Sequence, residues 1–306
     1  MPTKFLESLG GKLAERWSAA LLTPAFVFWL GGLTAFLWHF GWNRLEIWLT
    51  GKSDPIQIAL LVISLLVVAA SAFVVQQFEL PVIRFLEGYW PSWMRPLRRR
   101  LLQRQRQWLR QKEQRWQNLV TQQDKQSLAP EEMDEFVALD WQLRRLPARP
   151  ERLMPTRLGN LLRAAEEQPL NKYGLDAVIC WPRLWLVLPD EVRKELQESR
   201  SQLNTAARVW LWSLLFLFWT VWAWWVILFA LLSAVFAYRW MLNTAETYAD
   251  LLESAFDLHR IALYQSLRWS LPANPAEELQ MGRQLTEYLW RGSNQTKPDF
   301  TNSNEK

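Results

Sequence analysis

Few side chains in this sequence can support covalent or metal chemistry. Cys180 is the only cysteine, and His39 and His259 are the only histidines, among 306 residues. An internal disulfide and a CxxC redox pair are excluded, and a His/Cys zinc site lacks ligands. Asp257 and His259 supply a carboxylate and an imidazole, but positions i and i+2 of a helix face different ways. A Ser–His–Asp hydrolase would need one of the two histidines, and no nucleophile elbow accompanies either. This reading assigns no catalytic residue, no metal and no cofactor.

Polar residues concentrate in two other places. The first holds Arg95, Arg98, Arg99, Arg100, Arg104, Arg106 and Arg110, in a basic arm (84–116) where only Glu87 and Glu113 oppose the cations. Arginines beside a membrane attract anionic lipid head groups at about 1 kcal/mol per charge. They can also contact nucleic acid, or simply fix orientation. Trp93, Trp108 and Trp116 suit a membrane surface as well as they suit base stacking. Topology and lipid contact are preferred, a specific anionic partner comes second, and nucleic acid is least favoured. The second place holds Arg157, Asn160, Arg163, Glu166, Asp176 and Arg183, which can join Asp257, His259 and Arg260. Buried charges need partners, so a polar network that fixes packing is the plain reading. A site for an acidic ligand is the alternative.

The elements that must position these residues follow from composition. Half of the chain is hydrophobic, 21% is charged and 21 residues are tryptophan. The apolar residues gather in long runs, and tryptophan favours membrane–water interfaces. An integral membrane protein is the expected class. Residues 1–17 read as an interfacial amphipathic helix, with Phe5, Leu9, Leu13 and Trp17 on one face. Within 18–78, Ser18–Phe40 and Ile56–Phe78 each reach the ~20 residues a span requires, with a short loop at Gly41–Pro55. Val209–Tyr238 is uncharged for 30 residues, about 45 Å as one helix, against a hydrocarbon core of about 30 Å. Trp219, Trp222, Trp224 and Trp225 crowd its middle. A tight transmembrane hairpin over 207–240, turning at Thr220–Trp225, is preferred to one long tilted helix.

The predicted fold is all-α: four membrane spans (three in the alternative) plus a cytoplasmic helical domain. Residues 79–206 read as helices throughout, including Leu97–Gln123, a helix after Pro130, Thr156–Glu167 and one opening at Pro189-Asp190. Val178–Leu188 reads as a buried turn. A helical tail covers 241–291, and 292–306 is expected to be disordered. The tail helices and the 79–206 helices are expected to pack together, since each is too short to persist alone in water. By the positive-inside rule the basic arm and the N-terminus face the cytoplasm.

Arg157-Leu158-Gly159-Asn160 with Leu162-Arg163-Ala164-Ala165-Glu166, Tyr173-Gly174-Leu175-Asp176-Ala177, Trp181-Pro182-Arg183-Leu184 and Ala255-Phe256-Asp257-Leu258-His259-Arg260 carry a resemblance. Together they are similar to an uncharacterised family of bacterial multipass membrane proteins. The resemblance covers roughly 155–290 and implies a location in the bacterial inner membrane, without an activity. The expected function is a non-catalytic scaffold or regulatory component at the cytoplasmic face, with a protein partner or a second copy of itself. An oligomeric pore and a membrane enzyme with a cytoplasmic polar site are the alternatives. Against a pore, the uncharged runs lack the isolated charges that mark ion paths.

Overall fold

The computed structural model describes residues 24–124 and 128–292. The helix expected at 1–17, the start of the first span and, beyond Gly292, the tail expected to be disordered lie outside these residues. Among the described residues the protein is all-helical, with no β-strand. It divides into two compact units, one holding residues up to Ile83 with Asn204–Met241, the other Arg84–Leu203 with residues from Leu242 onward.

In the first unit, α1 (Pro24–Phe40) packs along α3 (Asp54–Gln76). Trp29 Nε1 donates to Ser71 Oγ at 3.0 Å, and Ala25 and Val75 are buried together with Trp212. The segment expected to be a loop instead forms α2 (Trp42–Thr50), which leaves α1 at 104° after Gly41. Its nine residues are too few and too charged to show a helical period in sequence. Arg44 lies over the Phe40 ring and Lys52 over the Trp48 ring, at 5.4 and 5.8 Å.

The long uncharged run does not continue as one helix. Helix α9 (Asp190–Phe216) ends in a 3-10 turn, Leu217–Val221, and α10 (Val226–Ser266) begins after it. No glycine or proline makes this break. The Trp222 and Ala223 amides both donate to the Trp219 carbonyl, at 3.0 and 3.2 Å. The Trp219 ring is buried, with centroids 5.1 Å from Phe28 and 5.2 Å from Trp222. Gly32 makes room for it, since a Cβ there would stand 2.4 Å from the indole. The two arms run back along each other: Val209, Trp212 and Phe216 face Trp225, Phe229 and Ser233 across a cavity of about 360 Å³. Arg208, the last charge before the run, reaches Glu79 at 2.9 Å. No N–H points along that line, so the contact is an ion pair rather than a hydrogen bond.

Among the described residues two helices are long and apolar enough to cross a membrane: Asp54–Gln76, and Val226–Ser266 through its apolar part. Pro24–Phe40 with Trp42–Thr50 makes a third if the bent pair is one span. The outward face of α3, with Ile58, Leu61, Leu66 and Phe73, is apolar and exposed.

The second unit begins within α4 (Glu79–Glu87). Helix α5 (Arg95–Gln123) pairs with α6 (Pro130–Arg144) over buried Leu119, Leu128 and Leu139. Helix α7 (Arg157–Tyr173) runs six residues past its expected end, carrying Pro169 in its last turns, and Gly174 caps it. Val178–Leu188 is not a buried turn. Ala177–Val187 forms α8, whose first turn is capped by the Asp176 carboxylate accepting from the Val178 amide at 2.9 Å. Cys180 and Leu184 point inward while Val178 and Leu186 stand exposed. That amphipathic division is invisible where nearly every residue is apolar. Helix α11 (Pro275–Arg291) lies across α7 and α8. Gly282 permits the approach, because a Cβ there would sit 1.8 Å from the Tyr173 carbonyl oxygen. The core gathers Leu175, Leu184, Leu196, Phe256, Leu263 and Tyr264, all fully buried. The tail and the 84–203 helices thus share one core.

Gly32→Leu is expected to destabilise the detergent-solubilised protein by about 1–3 kcal/mol, the usual range for overpacking. Gly51→Ala, where a Cβ meets nothing nearer than 3.5 Å, should be neutral in the same thermal-unfolding measurement. Equal melting of the two variants would show that the Trp219 seat does not matter.

Candidate functional site

All nine network residues expected from the sequence lie in the second unit, but they separate into distinct groups. Asn160 is buried and fully bonded: its Oδ1 accepts from the Met154 amide at 2.7 Å and its Nδ2 donates to Gln105 Oε1 at 2.5 Å. Arg157, one turn earlier on α7, is exposed at the edge of a cavity of about 630 Å³ bounded by α5, α6, α7 and α10. No acid pairs with Arg157 among the described residues.

A second group surrounds Glu166. Arg163 reaches Glu166 at 3.6 Å within the helix and donates to Tyr89 Oη at 2.8 Å. Glu166 also lines a small cavity of about 180 Å³ with Glu87, Trp181, Arg200 and Tyr248. Burial, and then the neighbouring carboxylate of Glu166, push the Glu87 pKa up from its ordinary value, against the pull of Arg200, Arg84 and Arg163. Burial pushes Glu166 up as well, opposed by Arg163 and reinforced by Asp176 and Glu167. Sequence reading treated Glu87 only as a counter-charge to the arginine arm and did not single out Arg200 or Tyr248. Nothing in their spacing links residues 87, 166, 200 and 248.

The third group ties α7 to the tail. Tyr173 Oη donates to Asp257 Oδ1 at 2.7 Å, and Lys172 Nζ meets Glu253 at 2.5 Å and Asp257 at 3.3 Å. Arg260 stacks over the Tyr173 ring at 4.1 Å and pairs with buried Glu278 at 2.6 Å. Lys172, Glu253 and Glu278 escaped sequence reading, and Tyr173 was read only as part of a motif, because their partners are more than 80 or 18 residues away along the chain.

The remaining expected residues play local roles. Asp176 caps α8, and Arg183 donates to the Ile179 carbonyl at 2.8 Å. His259 is half-buried and has no hydrogen bond or ion pair among the described residues. Burial raises the Cys180 thiol to about 11, so it stays protonated and unreactive at neutral pH. Among the described residues no cluster of His, Cys, Asp and Glu could hold a metal. The arms of the arginine cluster are laid out on α5, where Arg95, Arg99, Arg100, Arg104, Arg106 and Arg110 are exposed and Arg98 half-buried.

Arg145, which sequence reading passed over, joins α6 to α10. It reaches Asp250 at 3.3 Å and Glu246 at 3.8 Å, and stacks on Trp141 at 4.4 Å. The geometry as a whole is that of ties between helices. No nucleophile–base pair converges on any of these cavities. Compared with known proteins, the chain matches no family model, no curated protein and no solved structure.

The Glu87–Glu166 pair makes a signed pH prediction. Both carboxyls bind protons more tightly in the folded state than at the ordinary value of 4.5. Their contribution to stability is therefore full below that value and is lost as pH rises through the folded-state pKa. Glu166→Gln should raise the melting temperature at pH 7.5 and leave it nearly unchanged at pH 4. A variant that melts lower than the native protein at pH 7.5 would show that the ionised pair is net stabilising.

Proposed function

We propose that this is a multipass membrane protein without chemistry of its own, whose helical unit serves as a scaffold or regulatory component at the cytoplasmic face. The observation that carries the reading is the charge on α5. Its 29 residues hold eight arginines and one lysine against a single glutamate. Of these cations only Arg115 has an acidic partner among the described residues, Glu135 at 2.6 Å. A helix whose cations are left unpaired in water is suited to an anionic surface, and anionic head groups of the inner leaflet are that surface.

The same arginines orient the chain by the positive-inside rule. Four membrane segments keep both ends on the cytoplasmic side: α1, α3 and the two arms around 217–225. The arm from α9 enters paired with α10, because its uncharged part is short and its backbone must stay hydrogen-bonded within helices. The resemblance to uncharacterised bacterial multipass proteins is consistent with this reading and adds the bacterial inner membrane as its place. The partner is another membrane protein or a second copy of the chain.

A peptide spanning α5 should bind vesicles containing phosphatidylglycerol and be released at high salt. Replacing Arg98, Arg99 and Arg100 by Gln should weaken that binding roughly 100-fold, at about 1 kcal/mol per charge. Equal binding to neutral vesicles would sink the lipid reading. For the topology, a cysteine introduced near the C-terminus, in a Cys180→Ser background, should resist labelling from outside intact cells. External labelling would refute the four-segment arrangement.

A further inference from the structure

The cavity bounded by α5, α6, α7 and α10 has no structural role in the ties described above. At about 630 Å³ it far exceeds the water-sized voids of packed interiors and falls within the range of small-molecule sites. Its walls are amphipathic. Leu109, Leu146, Leu153 and Leu242 supply apolar surface. Trp108 and Trp141 stand beside them, 40% and 54% exposed, as large apolar faces left partly uncovered.

The polar side chains of the lining are Gln105, Gln142, Arg145, Arg157, Asn160 and Glu246. Arg145 is shared by the Glu246 and Asp250 carboxylates and lies on the Trp141 ring, so it is not free to hold an anion. Asn160 has both ends of its amide in use. Because its Oδ1 accepts from Met154, its Nδ2 must donate, and Gln105 therefore presents its oxygen to Asn160. That leaves the amide nitrogen of Gln105, a residue of the lining, as a donor. Arg157 adds a guanidinium with no acidic partner among the described residues.

We propose that this cavity binds an amphiphilic anion, its carboxylate or phosphate held by Arg157 and Gln105 and a single hydrocarbon chain lying against the leucines and tryptophans. The apolar walls require the chain, and the unpaired cation requires the charge. Two sources have this chemistry, a free fatty-acid-like molecule and an anionic bilayer lipid that lends one chain. The inference rests on the second unit alone and not on the proposed attachment of α5 to a membrane.

The test uses the full chain in nanodiscs of neutral zwitterionic lipid, with radiolabelled dodecanoate as the probe. Saturable binding is expected above the background of empty nanodiscs. Arg157→Gln should weaken it ten-fold or more, the usual effect of removing one charge-assisted hydrogen bond. Leu242→Trp, which fills the cavity, should abolish it, and Leu146→Trp replaces that variant if its thermal unfolding departs from the native protein's. Dodecanol and inorganic phosphate should compete poorly, since each carries half of the recognised chemistry. Competition by dodecanol equal to that of dodecanoate, or native-like binding by Arg157→Gln or by a folded filling variant, would overturn the proposal. Adding phosphatidylglycerol to the nanodisc separates the sources: lost dodecanoate binding assigns the site to a bilayer lipid, and retained binding assigns it to a soluble amphiphile.

Discussion

The reversal of the chain between Phe216 and Val226 is the constraint on which the other features depend. Helices α9 and α10 are both continuous through charged and uncharged sequence. Each unit therefore receives one part of both helices. In the first unit Phe216 and Trp225 line one cavity; in the second Arg200 stacks over Tyr248 at 5.6 Å. It is this return that lets residues from Leu242 onward share a core with residues 84–203. One uninterrupted helix through 209–238 would carry the tail away from those residues. The turn is made by packing of a tryptophan onto glycine, not by backbone-breaking residues. An indole ring needs a flat recess to be fully covered, and Gly32 supplies it on α1.

The polar residues answer a different demand. Short amphipathic helices are marginal alone, and their buried polar groups are costly unless bonded. The second unit places many of its polar ties where helices cross, though the buried Tyr264 hydroxyl has no hydrogen-bond partner among the described residues. Lys172 and Tyr173 bind α7 to α10, Arg260 binds α10 to α11 through Glu278, and Arg145 binds α6 to α10. Each tie matches opposite charges or aligns a donor with an acceptor. The Glu87–Glu166 pair is the exception, two carboxyls brought close under partial burial, with Arg163 and Arg200 near enough to moderate their repulsion. Such a pair makes the stability of the unit depend on pH.

The sequence by itself determined the all-helical character of the protein and most of its helices. Segregation of apolar residues and the run of arginines are linear properties, so the all-helical fold, the long α5 and the break within 209–238 were legible without coordinates. The crowd of tryptophans suggested the break because indoles favour membrane–water interfaces, whereas in the structure Trp219 is buried against Gly32. Short or uniformly apolar elements were not legible. Trp42–Thr50 has too few residues to show a period, and Ala177–Val187 is apolar on both faces, so its inward and outward residues look alike in sequence.

What only the tertiary structure decided is which polar residues meet. Nine candidates were legible by type and local density, and the sequence could place them all in one region. Their division among separate groups depended on partners such as Glu87, Arg200, Glu253 and Glu278, brought in from other helices by the fold. Side-chain contacts across helices depend on rotation about each helix axis, where one residue of slip turns a side chain by about 100°. Arg157 and Asn160 show the consequence. They are three residues apart on one helix, yet one lies buried with every amide atom bonded and the other stands at a cavity edge without an acid. No rule of spacing separates those two fates, because the packing of α5 and α10 against α7 decides them.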